Sequence, residues 1–215
     1  MNNKEIFILG VGNNTLVYID LAEACGYTVI GLYHYNEERT GDLFYGYNIL
    51  GSFEDLYRRE DINRINVALS QGDNKMRAAV FGKIISLGGN IPTLIHPTAT
   101  VSRFAKLGLG VVIHINVVIH PETRIGDNTV FSYNTAITHS SSIGEHCYLA
   151  SNTTIGAYTE IGDYVFLGIG VSTISGKVNK IGSHSYIGAG SLVTKSVSDY
   201  SVMMGRPAKL IRKNE

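Results

Sequence analysis

Histidine is the side chain best suited to moving a proton near neutral pH, because its ordinary pKa lies there. This chain of 215 residues has 7 of them, at positions 34, 96, 114, 120, 139, 146 and 184. His139 is followed directly by Ser140, and Glu122 stands 18 residues before Ser140. His114 and His120 lie six apart with no close pair and no third ligand, so no metal site is expected. Cys25 and Cys147 form no Cys-x-x-Cys pair and read as small buried thiols, kept reduced in a cytoplasmic protein. Gly10-x-Gly12 follows an apolar run, where backbone N–H groups at a helix start can hold a phosphate or a sugar. Thr15 stands where a dinucleotide fingerprint has its third glycine, so NAD is not expected.

Two kinds of element must position these groups. Over residues 1–90 the pattern alternates strand and helix. EIFILG, GYTVIGLY and NRINVALS read as strands; LVYIDLAEAC, GSFEDLYRR and DNKMRAAVFGKIISLG read as helices. Such alternation predicts an α/β domain with a small Rossmann-like parallel sheet and a ligand at the carboxyl ends of its strands.

Residues 91–215 follow a different rule. From Val101 to Leu167, 12 consecutive stations spaced six apart are apolar. Four residues beyond each station stands a small or β-branched side chain, and glycine often follows the station directly, as at Gly108, Gly126 and Gly144. A period of six fits neither a helix nor a continuous strand. It fits short strands joined by tight turns, three to a coil of about 18 residues, stacked about 4.8 Å apart. The sequence reads as a parallel β-helix of hexapeptide repeats. The glycines are expected to supply corner conformations closed to other residues. The phase slips by two residues between Ser172 and Lys180, which predicts a loop ejected from the prism.

Composition narrows the partners. Lys+Arg and Asp+Glu are both 18, which argues against bulk attraction to nucleic acid. No run approaches a membrane span, and the N-terminal stretch lacks the pattern of a signal peptide. The zero balance hides a split: residues 1–90 carry 8 basic and 11 acidic side chains, residues 91–215 carry 10 and 7. Lys195, Arg206, Lys209, Arg212 and Lys213 gather near the end.

GVGNN at 10–14, SQGDNKMR at 70–77, HPTATVS at 96–102, the hexads and GRPAK at 205–209 occur in one order. In that order they resemble the sialic-acid O-acetyltransferase-like family of bacterial sugar acyltransferases, which includes the bacillosamine- and perosamine-pathway N-acetyltransferases. The resemblance implies that the β-helix is left-handed and that the protein is a cytoplasmic homotrimer. It implies acetyl-CoA as cosubstrate and a nucleotide-linked 4-amino-4,6-dideoxy sugar as acceptor, with no metal and no NAD. O-acetylation of a sialic-type sugar and a non-catalytic scaffold are the competing readings.

The resemblance also implies site residues. AITHSSSIG is similar to the family's catalytic stretch, so His139 is expected as general base; the competing reading is a solvated corner histidine. Ser140 stands where the family has an acid. Glu122, one coil below, is expected to supply the missing carboxylate, unless it is only a solvent-facing corner charge. Tyr148 occupies the place of a histidine near the thioester carbonyl, to bond it or only to pack. Backbone groups at Ala157, Ile169 and Ala189, with Arg206 and Lys209, are expected to hold coenzyme A. Gly12, Asn13, Asn14, Tyr33, His34 and Gly72 are expected to hold the nucleotide sugar. His114 and His120, directly after apolar stations, are expected to face out of the coil, and His96 to be structural.

Overall fold

The apolar run near the N-terminus forms strand β1 (Lys4–Leu9), buried at four successive positions from Ile6 to Leu9. Burial on both faces marks a central strand of a parallel sheet. β2 (Tyr27–His34), β3 (Leu43–Phe44), β4 (Tyr47–Ser52) and β5 (Asn66–Leu69) complete the sheet in the order β3-β4-β2-β1-β5. All pairings are parallel except the β3–β4 hairpin. Helices α1 (Thr15–Ala24), α2 (Phe53–Tyr57) and α3 (Asn74–Ser86) connect the strands. This computed structural model describes residues 4–214, and the chain divides into two compact units after Leu94.

The hairpin departs from the sequence reading, which has no strand between residues 34 and 63 and starts a helix at Gly51. Its turn, Tyr45-Gly46, has φ of 48° and 89°, the mirror-image geometry that joins tightly twisted strands. A tyrosine in the first turn position hides the usual Asn-Gly signal. Helix α2 then begins only after Ser52, which caps it reciprocally with Asp55: Asp55 N donates to Ser52 Oγ at 3.2 Å and Ser52 N to Asp55 Oδ2 at 2.7 Å.

The second unit is a prism of two-residue strands in three stacked sheets. Ala136 pairs with Val118 below and Thr154 above, a register of 18 residues per coil. The second residue of each strand points inward. Ile113, Ile119, Ile125, Phe131, Ile137 and their successors form one buried column. The small stations are buried beside them, and Thr129, Thr135 and Thr153 donate their hydroxyls to turn carbonyls at 2.7–2.8 Å. Glu160 pairs with Lys180 and Phe166 with Tyr186, so the register lengthens by two residues where the slip was expected. Val178 fills the inward place that the slip displaces.

The glycines do not serve the corners as expected. The left-handed corner position is held mostly by other residues: Glu122, Ser140 and Tyr158 along one edge, Asn128, His146 and Tyr164 along another, Asn116, Asn134 and Asn152 along the third. Glycine is required two residues earlier in the same turn, where coils nearly touch. A Cβ on Gly126 would stand 2.7 Å from Glu145 N, and one on Gly144 2.7 Å from Asp163 N.

Candidate active site

His139 follows the strand Ala136–Ile137. Ile137 is locked in the prism, and Thr138 donates Oγ1 to Ile155 O at 2.7 Å, so the chain must turn outward at the next residue. His139 is therefore exposed on an edge, and Ser140 closes the turn with φ 57°. Nδ1 of His139 lies 3.3 Å from Ser140 Oγ, which donates to Glu122 Oε2 at 2.7 Å. From the coil above, Tyr158 meets the imidazole edge-on, with ring centroids 5.2 Å apart and an interplanar angle of 89°.

A groove of about 500 Å³ runs along this edge. It is lined by Glu122, Arg124, Ser140–Ser142, Tyr158–Glu160 and Asn179. Arg124 and Glu160 are its other charged groups, and Glu160 pairs with Lys180 at 3.5 Å. His139 does not itself line this groove, which begins at its neighbours Ser140 and Tyr158. An exposed imidazole with Nδ1 engaged can accept a proton at Nε2 from a nucleophile bound at this edge. Reading one coil upward as well as one coil downward from Ser140 would have found Tyr158.

Of the other expected residues, Ala157 stands one coil above His139 on the same edge, and the rest are placed elsewhere. Tyr148 lies on the face opposite the His139 edge and stacks on Phe166 at 5.6 Å, which stacks on Tyr186 at 4.8 Å. Ala157 is buried and its N–H donates to Ser175 Oγ at 3.0 Å. Ile169 and Ala189 are exposed, one coil apart, on a different edge from His139. Arg206 reaches back to Gly190 O at 3.2 Å, and Lys209 is exposed on the terminal strand Ala208–Lys213. His146 and His184 belong to an aromatic column with Tyr164 and Tyr200 on the third edge. His120 is exposed as expected, whereas His114 is buried against Tyr133. Burial, with His96 adding charge repulsion, holds the His114 pKa down to about 4. His96 itself bonds Thr98 within its own turn.

In the first unit, β2 and β5 leave β1 on opposite sides, so strand order reverses there. Ligand crevices open at such points, beyond the carboxyl ends of the strands. A cavity of about 230 Å³ lies there, lined by residues 10–14, Ser70–Gly72, Tyr35, Phe53 and Met76. Gly12, Asn13, Asn14 and Gly72 are thus gathered as expected. Thr15, in place of the third glycine, ties the loop: Gly12 N donates to its Oγ1 at 2.7 Å, and that hydroxyl donates to Gly10 O at 3.0 Å. Gln71 anchors the floor by donating Nε2 to Leu9 O at 2.9 Å, and its Oε1 is buried without a hydrogen-bond partner.

Tyr33 and His34 do not line this cavity. Tyr33 is packed in the core with its hydroxyl held by Arg59 at 3.2 Å, and His34 bonds Asn36 Oδ1 at 2.8 Å. The strand's end turns them inward and presents Tyr35 instead.

No protein-family model matches the chain, and no curated protein matches it. Solved structures do. The chain is 27% identical to PerB from Caulobacter crescentus, solved with CoA and GDP-perosamine, over 97% of each chain with a TM-score of 0.88. A histidine-to-alanine mutant of GDP-perosamine N-acetyltransferase from the same organism, with the same two molecules, aligns at 26% identity, 97% of each chain and a TM-score of 0.89. The chain has the architecture of these sugar acetyltransferases along its whole length. That architecture is a small α/β domain followed in the chain by a left-handed β-helix, as the motifs implied. The acetyltransferase domain of PglB from Neisseria gonorrhoeae shares the fold at 23% identity, over 97% of this chain and 100% of that one, with a TM-score of 0.88. Among the described residues, no cluster of three or more His, Cys, Asp or Glu side chains could hold a metal ion. No described helix is long and apolar enough to cross a membrane.

Proposed function

We propose that this chain transfers an acetyl group from acetyl-CoA to the amine of a nucleotide-linked 4-amino-4,6-dideoxy sugar. The observation that carries the reading is the end-to-end likeness to an enzyme solved with CoA and GDP-perosamine. The glycine-loop cavity takes the nucleotide, and the groove beside His139 takes the reacting groups.

His139 acts as general base. The sugar amine attacks the thioester carbonyl carbon and gives a proton to Nε2 of His139. Backbone N–H groups hold the oxyanion that forms. The C–S bond then breaks, the acetyl group stays on nitrogen as an amide, and the coenzyme thiolate takes the proton back from the imidazolium. No covalent enzyme intermediate is needed. A homotrimer, with coenzyme A running along the prism between neighbouring subunits, is part of this reading. So is contact of its phosphates with Arg206 and Lys209.

The test is thiol release from acetyl-CoA against a panel of UDP-, dTDP- and GDP-linked amino sugars together with free sialic acid. Release with an amino sugar is expected. Release with sialic acid alone supports O-acetylation instead, and no release with any acceptor supports a scaffold. His139→Ala is expected to lower turnover by about 10²–10⁴ and to leave coenzyme binding intact. Full activity in that variant overturns the base assignment.

A further inference from the structure

Three side chains on one edge of the prism form a connected line. Glu122 and Ser140 occupy the same left-handed corner position in successive coils, with φ of 60° and 57°. Ser140 N bonds Pro121 O at 3.1 Å, which clamps the two corners together. The hydroxyl of Ser140 has one proton, and at 2.7 Å it goes to the Glu122 carboxylate, which can only accept. The lone pairs of Ser140 Oγ are then left for a donor, and His139 Nδ1 is 3.3 Å away. A nitrogen facing an acceptor carries the proton, and the tautomer follows from that bond.

We propose that Ser140 and Glu122 are positioning residues for His139, acting in series. The carboxylate orients the hydroxyl, the hydroxyl holds the Nδ1–H tautomer, and Nε2 is left to take the acceptor's proton. The Glu122 carboxylate lies at most about 6 Å from Nδ1, through the one hydroxyl. The serine between them does what a directly adjacent acid would do, with the charge one coil away. The other charged groups lining this groove are Arg124 and Glu160, the latter paired with Lys180, so Glu122 is the unpaired anion among them. The inference rests on His139 being the base, but its first test needs no turnover.

That test is the ring nitrogen spectrum of His139 in the full-length protein at pH above the imidazole range, by ¹⁵N-detected or long-range ¹H–¹⁵N NMR. The wild type is expected to show Nδ1–H. Glu122→Gln and Ser140→Gly are each expected to show a mixture of tautomers. Glycine is chosen because it keeps the corner conformation while removing the hydroxyl. An unchanged tautomer in both variants overturns the proposal whether or not any acceptor has been found.

The second test uses acetyl transfer. Each single variant is expected to lose about tenfold in kcat/KM, a fraction of what a general base supplies. The double variant should be no worse than either single, because the groups act in series. Ser140→Asp placed in the Glu122→Gln background should restore most of the activity by putting a carboxylate directly at Nδ1. Additive losses in the double variant, or no rescue by Ser140→Asp, overturn the proposal.

Discussion

Tyr158 stands one coil above Ser140 and meets the His139 ring at right angles, centroid to centroid 5.2 Å. The contact fixes the plane of an imidazole that is otherwise exposed on an edge. Edge-to-face pairing of this kind is favourable by about 0.5–1.5 kcal/mol beyond the area it covers. Tyr158 has φ 61°, so a test substitution must tolerate that backbone. Tyr158→Asn does so and removes the ring; Tyr158→Phe keeps the ring. We expect Tyr158→Asn to lower kcat roughly fivefold through looser orientation of the base. Tyr158→Phe should stay near the wild type. Steady-state kinetics of the two variants side by side decide it, and equal rates in both would remove Tyr158 from the site.

How much of this was legible in the sequence follows from how local each constraint is. The β-helix was legible because every coil repeats one local demand, an inward side chain every six residues, and because vertical neighbours are a fixed 18 residues apart. The same arithmetic brought Glu122 beneath Ser140, where the structure has it. Legibility failed where tertiary packing overrides local pattern. His114 follows an apolar station as His120 does, yet it is covered and His120 is exposed. Both histidines end the same run, Val-Val-Ile-His, so the residues leading up to them do not distinguish them. Position on β2 alone puts Tyr33 and His34 at the ligand, but a bulge between Leu32 and Tyr33 in the pairing with β4 and the core contacts of Tyr33 decide their direction. The glycines were seen for the wrong reason, since coil-to-coil distance is not visible in a one-dimensional pattern.

That distance carries a prediction of its own. A methyl group on Gly144 would stand 2.7 Å from the backbone N of Asp163, and backbone in a stacked coil cannot step aside as a flexible side chain can. Gly144→Ala is expected to destabilise the protein by about 1–3 kcal/mol, the range for overpacking a close-packed interior. Gly82, where an added Cβ meets nothing within 4 Å, is the control. It lies inside helix α3, where alanine is favoured over glycine, so Gly82→Ala should be neutral or stabilising. Urea denaturation of both variants tests the contrast, and equal midpoints would contradict it.

The nucleotide cavity depends on Gly10 in a similar but separable way. Gly10 has φ 108°, and a Cβ there would press on Ser70 Oγ and come within 3.0 Å of Gln71 Nε2. Both side chains anchor the cavity floor to β1 through the carbonyl of Leu9. Gly10→Ala is therefore expected to weaken binding of a nucleoside diphosphate by tenfold or more, on the order of 1.4 kcal/mol. It should leave acetyl-CoA binding unchanged, because the coenzyme is assigned to the β-helix. Calorimetric titration with GDP, UDP and dTDP, and separately with coenzyme A, distinguishes a local loss from a general one. Unchanged nucleotide affinity would place that ligand elsewhere.

His114 makes stability depend on pH in a definite direction. In the folded protein its pKa is held down to about 4, first by burial and then by His96. In the unfolded chain it protonates near the ordinary histidine value of about 6.5. Between those values the unfolded state binds a proton that the folded state refuses. The stability this represents is fully present above about pH 6.5 and is lost as pH falls toward 4, by up to about 3 kcal/mol. Asp55 and Asp61, whose carboxyls are held low by Ser52 and Arg59, lose their contribution below that window. Glu145 works in the opposite sense, because burial and its neighbours Asp127 and Asp163 push its carboxyl up, so acid favours its folded form. Replacing the one residue separates these effects. His114→Gln should flatten the fall in thermal midpoint between roughly pH 7 and pH 4.5 while leaving the steeper acid loss in place. If wild type and variant trace parallel curves across that interval, His114 is not the group that titrates.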